Sequence, residues 1–205
     1  DLRVEGVTKG TTEANKDIYY YQVSYVTQSG YKPLCGLDPQ GQPVAAIPLR
    51  GRWDYRQGVA GGGDHIEDND SFTFACVGHA LAKCAEAGYK PWRSLLVCEK
   101  KKGCEKVSLA QHHQACTRML RADYCGDGAS HTANNMEVNM YDALGLRIDS
   151  EKWAFEAEWD AKGAICADTT RLPNTTLTCA AQLNETGCGS PSNFNKGTKL
   201  FSEIP

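Results

Sequence analysis

No run of apolar residues in this chain approaches the ~20 needed to cross a bilayer as a helix, so no membrane span is expected. No two cysteines stand in a CxxC pair, which removes the spacing that zinc modules use. Basic residues are not in excess: 22 Lys and Arg face 25 Asp and Glu, for a net charge of −3. That balance excludes nucleic acid or an anionic membrane as a bulk electrostatic partner. Internal repeats are absent as well. The chain opens at Asp1 without a signal segment, which is what processing of a precursor would leave.

Against these absences stand ten cysteines in 205 residues. An even count without metal spacing reads as disulfides formed in an oxidising compartment. All ten are expected to be oxidised: Cys35, Cys76, Cys84, Cys98, Cys104, Cys116, Cys125, Cys166, Cys179 and Cys188. Short polar loops close cheaply, so Cys98–Cys104 and Cys179–Cys188 are expected as local bridges. The length suits one domain with a real core. Sequons at Asn69, Asn174 and Asn184 would matter only in a host that glycosylates them.

Periodicity divides the chain into a polar N-terminal segment (1–16), an α+β domain (17–170) and an irregular C-terminal segment (171–205). Tyr19, Tyr21, Val23 and Tyr25 alternate as a strand, and a second short one covers Val44–Leu49. Cys76, Val77, Ala80, Leu81 and Cys84 recur at helical spacing, which predicts a first helix capped by Asp70 or Ser71 and ended by Gly88. The triplet Lys100–Lys101–Lys102 reads as a solvated loop tip. Ser108-Leu-Ala-Gln111 is a capping-box pattern opening a second helix to about Tyr124, with Leu109, His112, Cys116, Met119 and Leu120 inward. Met136, Val138 and Met140 alternate as a strand. Trp153, Phe155, Ala157 and Trp159 alternate as another, placing Glu156 and Glu158 on the opposite, exposed face. Strands, then helices, then strands argue a compact α+β fold with an antiparallel sheet and two main helices.

The second helix ends in Arg121-Ala-Asp-Tyr-Cys-Gly-Asp-Gly128, with His131 just beyond. This resembles the signature of the bacterial ADYC-domain family. So do Pro33-Leu-Cys35, Ile47-Pro-Leu-Arg-Gly-Arg-Trp-Asp54, Phe72-Thr-Phe-Ala-Cys76, Ala82-Lys-Cys84 with Gly88-Tyr-Lys-Pro-Trp92, and Glu156-Ala-Glu-Trp159 with Gly163-Ala-Ile-Cys166. The resemblance implies an extracytoplasmic, secreted or lipid-anchored home, and carries no catalytic assignment. It also implies three family-type bridges among Cys35, Cys76, Cys84, Cys116, Cys125 and Cys166.

The sequence supports two functional readings. In the first, the chain is an extracellular or cell-surface module with a structural or binding role, self-associating through the Tyr19–Tyr25 strand as an open edge. Its partner would be an extracellular protein, a glycan or another copy, and no cofactor or metal is called for. In the second, Cys76 at a helix start is a thiolate nucleophile, His131 its base and Asp142 the orienting carboxylate. That chain order is similar to papain-like and transglutaminase-like hydrolases, and Cys76–Tyr89 loosely resembles the active helix of bacterial protein glutaminases. The even cysteine count favours the first reading, because a free nucleophile strands a second thiol.

Weaker constellations are Asp64–Asp70 as a calcium loop, Glu156 with Glu158 as a glycosidase pair, His112 with Cys116 as metal ligands, and Asp123, Asp127 and His131 around an ion. For each, the plainer reading is preferred: solvated loop, surface strand, disulfide beside a packed histidine, and turn-satisfying carboxylates. The Asp123–Gly128 stretch is expected to be chiefly an architectural corner. Arg121 and Asp123, two apart on a helix, do not face each other. Each should take a separate partner, with a carboxylate such as Glu156 as a candidate.

Overall fold

The computed structural model describes residues 1–99, 103–189 and 194–205. The Lys100–Lys101–Lys102 reading lies outside them. The chain divides into two compact units, 1–52 with 67–88, and 53–66 with 89–205.

The first unit holds strands β1 (Leu2–Lys9), β2 (Tyr19–Thr27), β3 (Gly30–Pro33), β4 (Ala46–Arg50) and β7 (Phe72–Cys76). They form an antiparallel sheet in the order β1-β2-β4-β7, with β3 also on β2. Ile47 and Leu49 alternate with Ala46 and Pro48, so one face of β4 supplies a core together with Ile18 and Ala75. Helix α1 (Ala80–Glu86) packs near β7 and buries Ala82, Cys84 and Ala85. Cys35–Cys76 ties the loop after β3 to the end of β7.

Three expectations change here. The helix begins at Ala80, after a turn in which Gly78 has φ +86°. Residues 72–76 are a strand because Phe72, Phe74 and Cys76 follow the period of two and pair with β4, so Cys76 is not at a helix start. The 1–16 segment contains a strand. Its pattern is masked by a bulge between Val4 and Gly6, which shifts the alternation by one residue. Finally, β2 lies between β1 and the β3/β4 side, so the Tyr19–Tyr25 strand is not an open edge. β1 and β7 end the path instead.

The second unit contains a two-stranded hairpin, β8 (Ser94–Glu99) with β9 (Gly103–Ser108), closed by Cys98–Cys104 as expected from its short loop. Strands β5 (Arg52–Trp53) and β6 (His65–Ile66) make a short ribbon. A four-stranded antiparallel sheet runs β10 (Asn139–Tyr141), β13 (Leu200–Ile204), β11 (Ala154–Asp160), β12 (Gly163–Ala167). Helix α2 (Ala110–Arg121) packs on β11, β12 and β13 and buries every residue from His112 to Met119. Ser108 Oγ accepts the Ala110 amide at its start, at 3.3 Å.

The segment after 171 differs from its expectation. It holds helix α3 (Ala180–Thr186), against β12, and β13, an interior strand of the sheet. The local Cys179–Cys188 bridge does not form. Cys179 joins Cys125, 54 residues away, and Cys188 joins Cys166. Loop entropy favours the short closure, but folding of the tail onto β12 carries each cysteine to a distant partner. Cys84 and Cys116 are disulfide-bonded too, and no cysteine is free.

Candidate functional site: the corner after helix α2

Helix α2 stops at Arg121 because Ala122 takes the left-handed conformation, φ +49°. A non-glycine residue is strained there. Contacts made by the next few residues offset that strain. The chain turns so that Asp123, 1% exposed, faces the Arg118 guanidinium, also 1% exposed. Arg118 bonds Asp123 and Asp64 and donates to the Gly62 carbonyl at 2.6 Å. Asp123 in turn accepts the amides of Asp127 and Gly128 at 3.1 and 3.0 Å. Burial holds its carboxyl above the ordinary range, and the Arg118 guanidinium offsets only part of that rise.

Asp127 accepts the Ala129 amide at 2.9 Å, and Arg121 donates to the Gly128 carbonyl at 2.6 Å. Gly126 and Gly128 have φ of +67° and +82°, and a Cβ on either would run into the backbone at Lys162 or Arg56. Close approach and positive φ both demand glycine. The corner is legible in the sequence as such. Arg121 and Asp123 take separate partners, Arg121 a backbone carbonyl rather than the carboxylate offered as a candidate.

Tyr124 continues the network into the sheet. Its hydroxyl donates to Glu156 at 2.6 Å and accepts the Arg171 amide at 2.7 Å. Arg171 grips Glu156 through two nitrogens, at 3.1 and 2.8 Å. Burial raises the Tyr124 phenol far above its usual value. Glu158 accepts the Gly189 and Asn195 amides at 2.6 and 2.9 Å and the Thr198 hydroxyl at 2.5 Å.

Glu156 and Glu158 are both 0% exposed, which corrects the surface-strand reading. The alternation of Trp159 and Ala157 with the two glutamates holds, but α2 and the tail bury β11 from both sides. A carboxylate with its lone pairs taken by fixed donors is poorly suited to acid/base work. Sequence reasoning missed Arg118 and Arg171. The signal for Arg118 was an arginine between Thr117 and Met119 on the inward part of α2.

The other candidate residues are dispersed. Cys76 ends β7, bonded to Cys35. The amide of His131 donates to the Arg121 carbonyl at 3.0 Å, and its ring lies 6.1 Å from that of Tyr124. Asp142 accepts the Tyr89 hydroxyl at 2.6 Å and the amides of Leu144, Leu146 and Arg147. Both its oxygens are engaged, and no hydrogen bond among the described residues joins it to His131, so the expected orienting role is not met.

Asp64 is held by Arg118, and Asp68 pairs with Arg52 at 3.3 Å, which occupies two acidic groups of the proposed calcium loop. His112 stacks on Tyr89 and is 5% exposed, with Nδ1 unbonded. Burial lowers its pKa. Glu158, Cys166 and Cys188 come within 4.8 Å of one another, but their sulfurs are joined and the carboxylate is fully bonded. A cleft of about 310 Å³ between β12 and α3 is lined by Asp168, Thr169, Thr175, Leu183 and Asn184.

Among the described residues no helix is long and apolar enough to cross a membrane. No curated protein and no solved structure matches this chain. The profile of the ADYC domain matches residues 1–173, which takes in β1 through β12, the glycine-bearing corner and the Glu156 strand. The chain belongs to the ADYC-domain family.

Proposed function

We propose that this chain is a secreted, disulfide-stabilised module with a structural or binding role at the cell surface, and that it carries out no reaction of its own. Disulfides in this number persist in oxidising compartments and are rare in reducing ones. The single observation that carries the reading is the inward use of the polar groups at the corner. Asp123, Arg118, Glu156 and Arg171 all direct their bonds into the fold, so neither of these two carboxylates is poised toward a ligand. The hydrolase reading asks for a thiolate at Cys76, and that sulfur is bonded to Cys35.

The test has two parts. Thiol titration of the unreduced, denatured protein should find no free thiol. Ammonia release from glutamine-containing peptides should be nil, before and after mild reduction. Release that disappears in Cys76→Ala would sink the proposal in favour of an amide hydrolase.

A further inference from the structure

Strand β1 ends the first unit's sheet, and all its residues except Gly6 are exposed. An edge of this kind offers a row of unpaired N–H and C=O groups. Cross-strand partners point to the same face. The pairs Leu2–Tyr25, Val4–Val23, Val7–Tyr21 and Lys9–Tyr19 therefore place Leu2, Val4, Val7 and Lys9 on one face, and Arg3–Ser24 and Thr8–Tyr20 place Arg3 and Thr8 on the other. The bulge at Glu5 is what keeps Val4 and Val7, three apart, on the same side. Leu2, Val4 and Val7 are 58, 52 and 49% exposed, an apolar stripe laid along an open edge.

We propose that β1 pairs antiparallel with β1 of a second copy of this chain, about a two-fold axis between Glu5 and Gly6. This rests on the reading of the chain as a binding module and names its partner. In full-length register, Leu2 meets the second copy's Lys9, Arg3 its Thr8, Val4 its Val7 and Glu5 its Gly6. The Leu2–Lys9, Arg3–Thr8 and Val4–Val7 pairs match face for face, apolar Val4 lies against apolar Val7, and no two like charges stand opposite.

The bulge favours a second copy over an unrelated strand. A regular strand laid on β1 must absorb the extra residue, as β2 does, whereas a second copy carries the same extra residue at the same place. A lipid surface covering Leu2, Val4 and Val7 would also cover the edge's backbone groups, which lipid cannot bond. Pairing of one eight-residue strand buries about half of a standard ~1,600 Å² interface, so the dimer is weak, with a Kd of roughly 10–100 µM.

Sedimentation velocity from 1 to 300 µM should show a reversible monomer–dimer equilibrium. Val4→Lys should raise the dissociation constant at least tenfold with an unchanged circular dichroism spectrum. Register is read by trapping. A mixture of Val4→Cys and Val7→Cys proteins should form an oxidised mixed dimer on a non-reducing gel, and neither alone should. A monomer at every concentration overturns the proposal, as does efficient cross-linking of Val4→Cys with itself. A dimer that resists Val4→Lys places the contact elsewhere and overturns it too. None of these outcomes depends on the thiol and ammonia assays, so failure here leaves the module reading standing, and the reverse.

Discussion

The two sheets of this protein treat their polar and apolar groups in opposite ways. In the second unit, β11 is buried from Glu156 to Trp159, and two glutamates on it are matched by an arginine and by tail amides. In the first unit, apolar Leu2, Val4, Val7, Tyr19 and Phe72 remain exposed, while Ile18, Val23, Ile47 and Leu49 make up an apolar core. The contrast teaches where specificity and availability lie. Buried ion pairs contribute little net stability but make the arrangement intolerant of losing one partner. Exposed apolar side chains cost little in stability to change, and are available to a partner.

The sharpest way to break the contrast is Glu156→Ala. It leaves Arg171 charged, buried and without its carboxylate, and should cost about 3–5 kcal/mol; urea unfolding monitored by Trp fluorescence measures it. A loss under ~1 kcal/mol would mean that water reaches the pair and that the second sheet is no more committed than the first.

Next in size are the cross-links. Replacing Cys125 and Cys179 together by Ser opens a loop of 54 residues and should cost about 4 kcal/mol on chain-entropy grounds. The same double change at Cys98 and Cys104, only 6 apart, should cost roughly 1–2 kcal/mol less, because closure entropy grows with the logarithm of loop length. Thermal denaturation of the two variants side by side checks the order.

A smaller effect is tied to pH. Burial depresses the folded-state pKa of His112 below its unfolded value of 6.5. Below that value the unfolded chain binds a proton that the folded chain resists, so this group's contribution is intact above pH 6.5 and lost as pH falls towards the depressed pKa. His112→Gln should flatten the wild-type decline in urea midpoint between about pH 7.5 and 5.5. Carboxylates elsewhere titrate in both proteins, so the difference between the two curves is the measurement.

Smallest of all, Val4→Thr on the open edge should change unfolding free energy by less than about 0.5 kcal/mol. A larger loss would show that the exposed stripe contributes to the fold of its own unit, and would blur the contrast between the sheets.

Much of the fold is legible where the cause is local. Tyr19–Tyr25 reads as a strand because alternation of bulky residues sets its period. Cys98 and Cys104 pair because the intervening loop is short. The Asp123–Gly128 corner is readable because glycines are needed where backbones nearly touch. The failures share a different cause. β1 is hidden by one extra residue that shifts its phase. Residues 72–76 look helical since Cys76, Ala80 and Cys84 fit that spacing, although pairing with β4 overrides it.

The amino-acid sequence by itself determined the oxidised state of the cysteines, the α+β class and the corner after α2, because count, period and glycine placement act over a few residues. Only the tertiary structure decided that Cys179 seeks Cys125, that β13 lies inside the second sheet and that Glu156 meets Arg171 in the interior. Each of those depends on which surfaces cover one another after the tail folds back. A carboxylate on an alternating strand looks the same in sequence whether water or an arginine lies across from it.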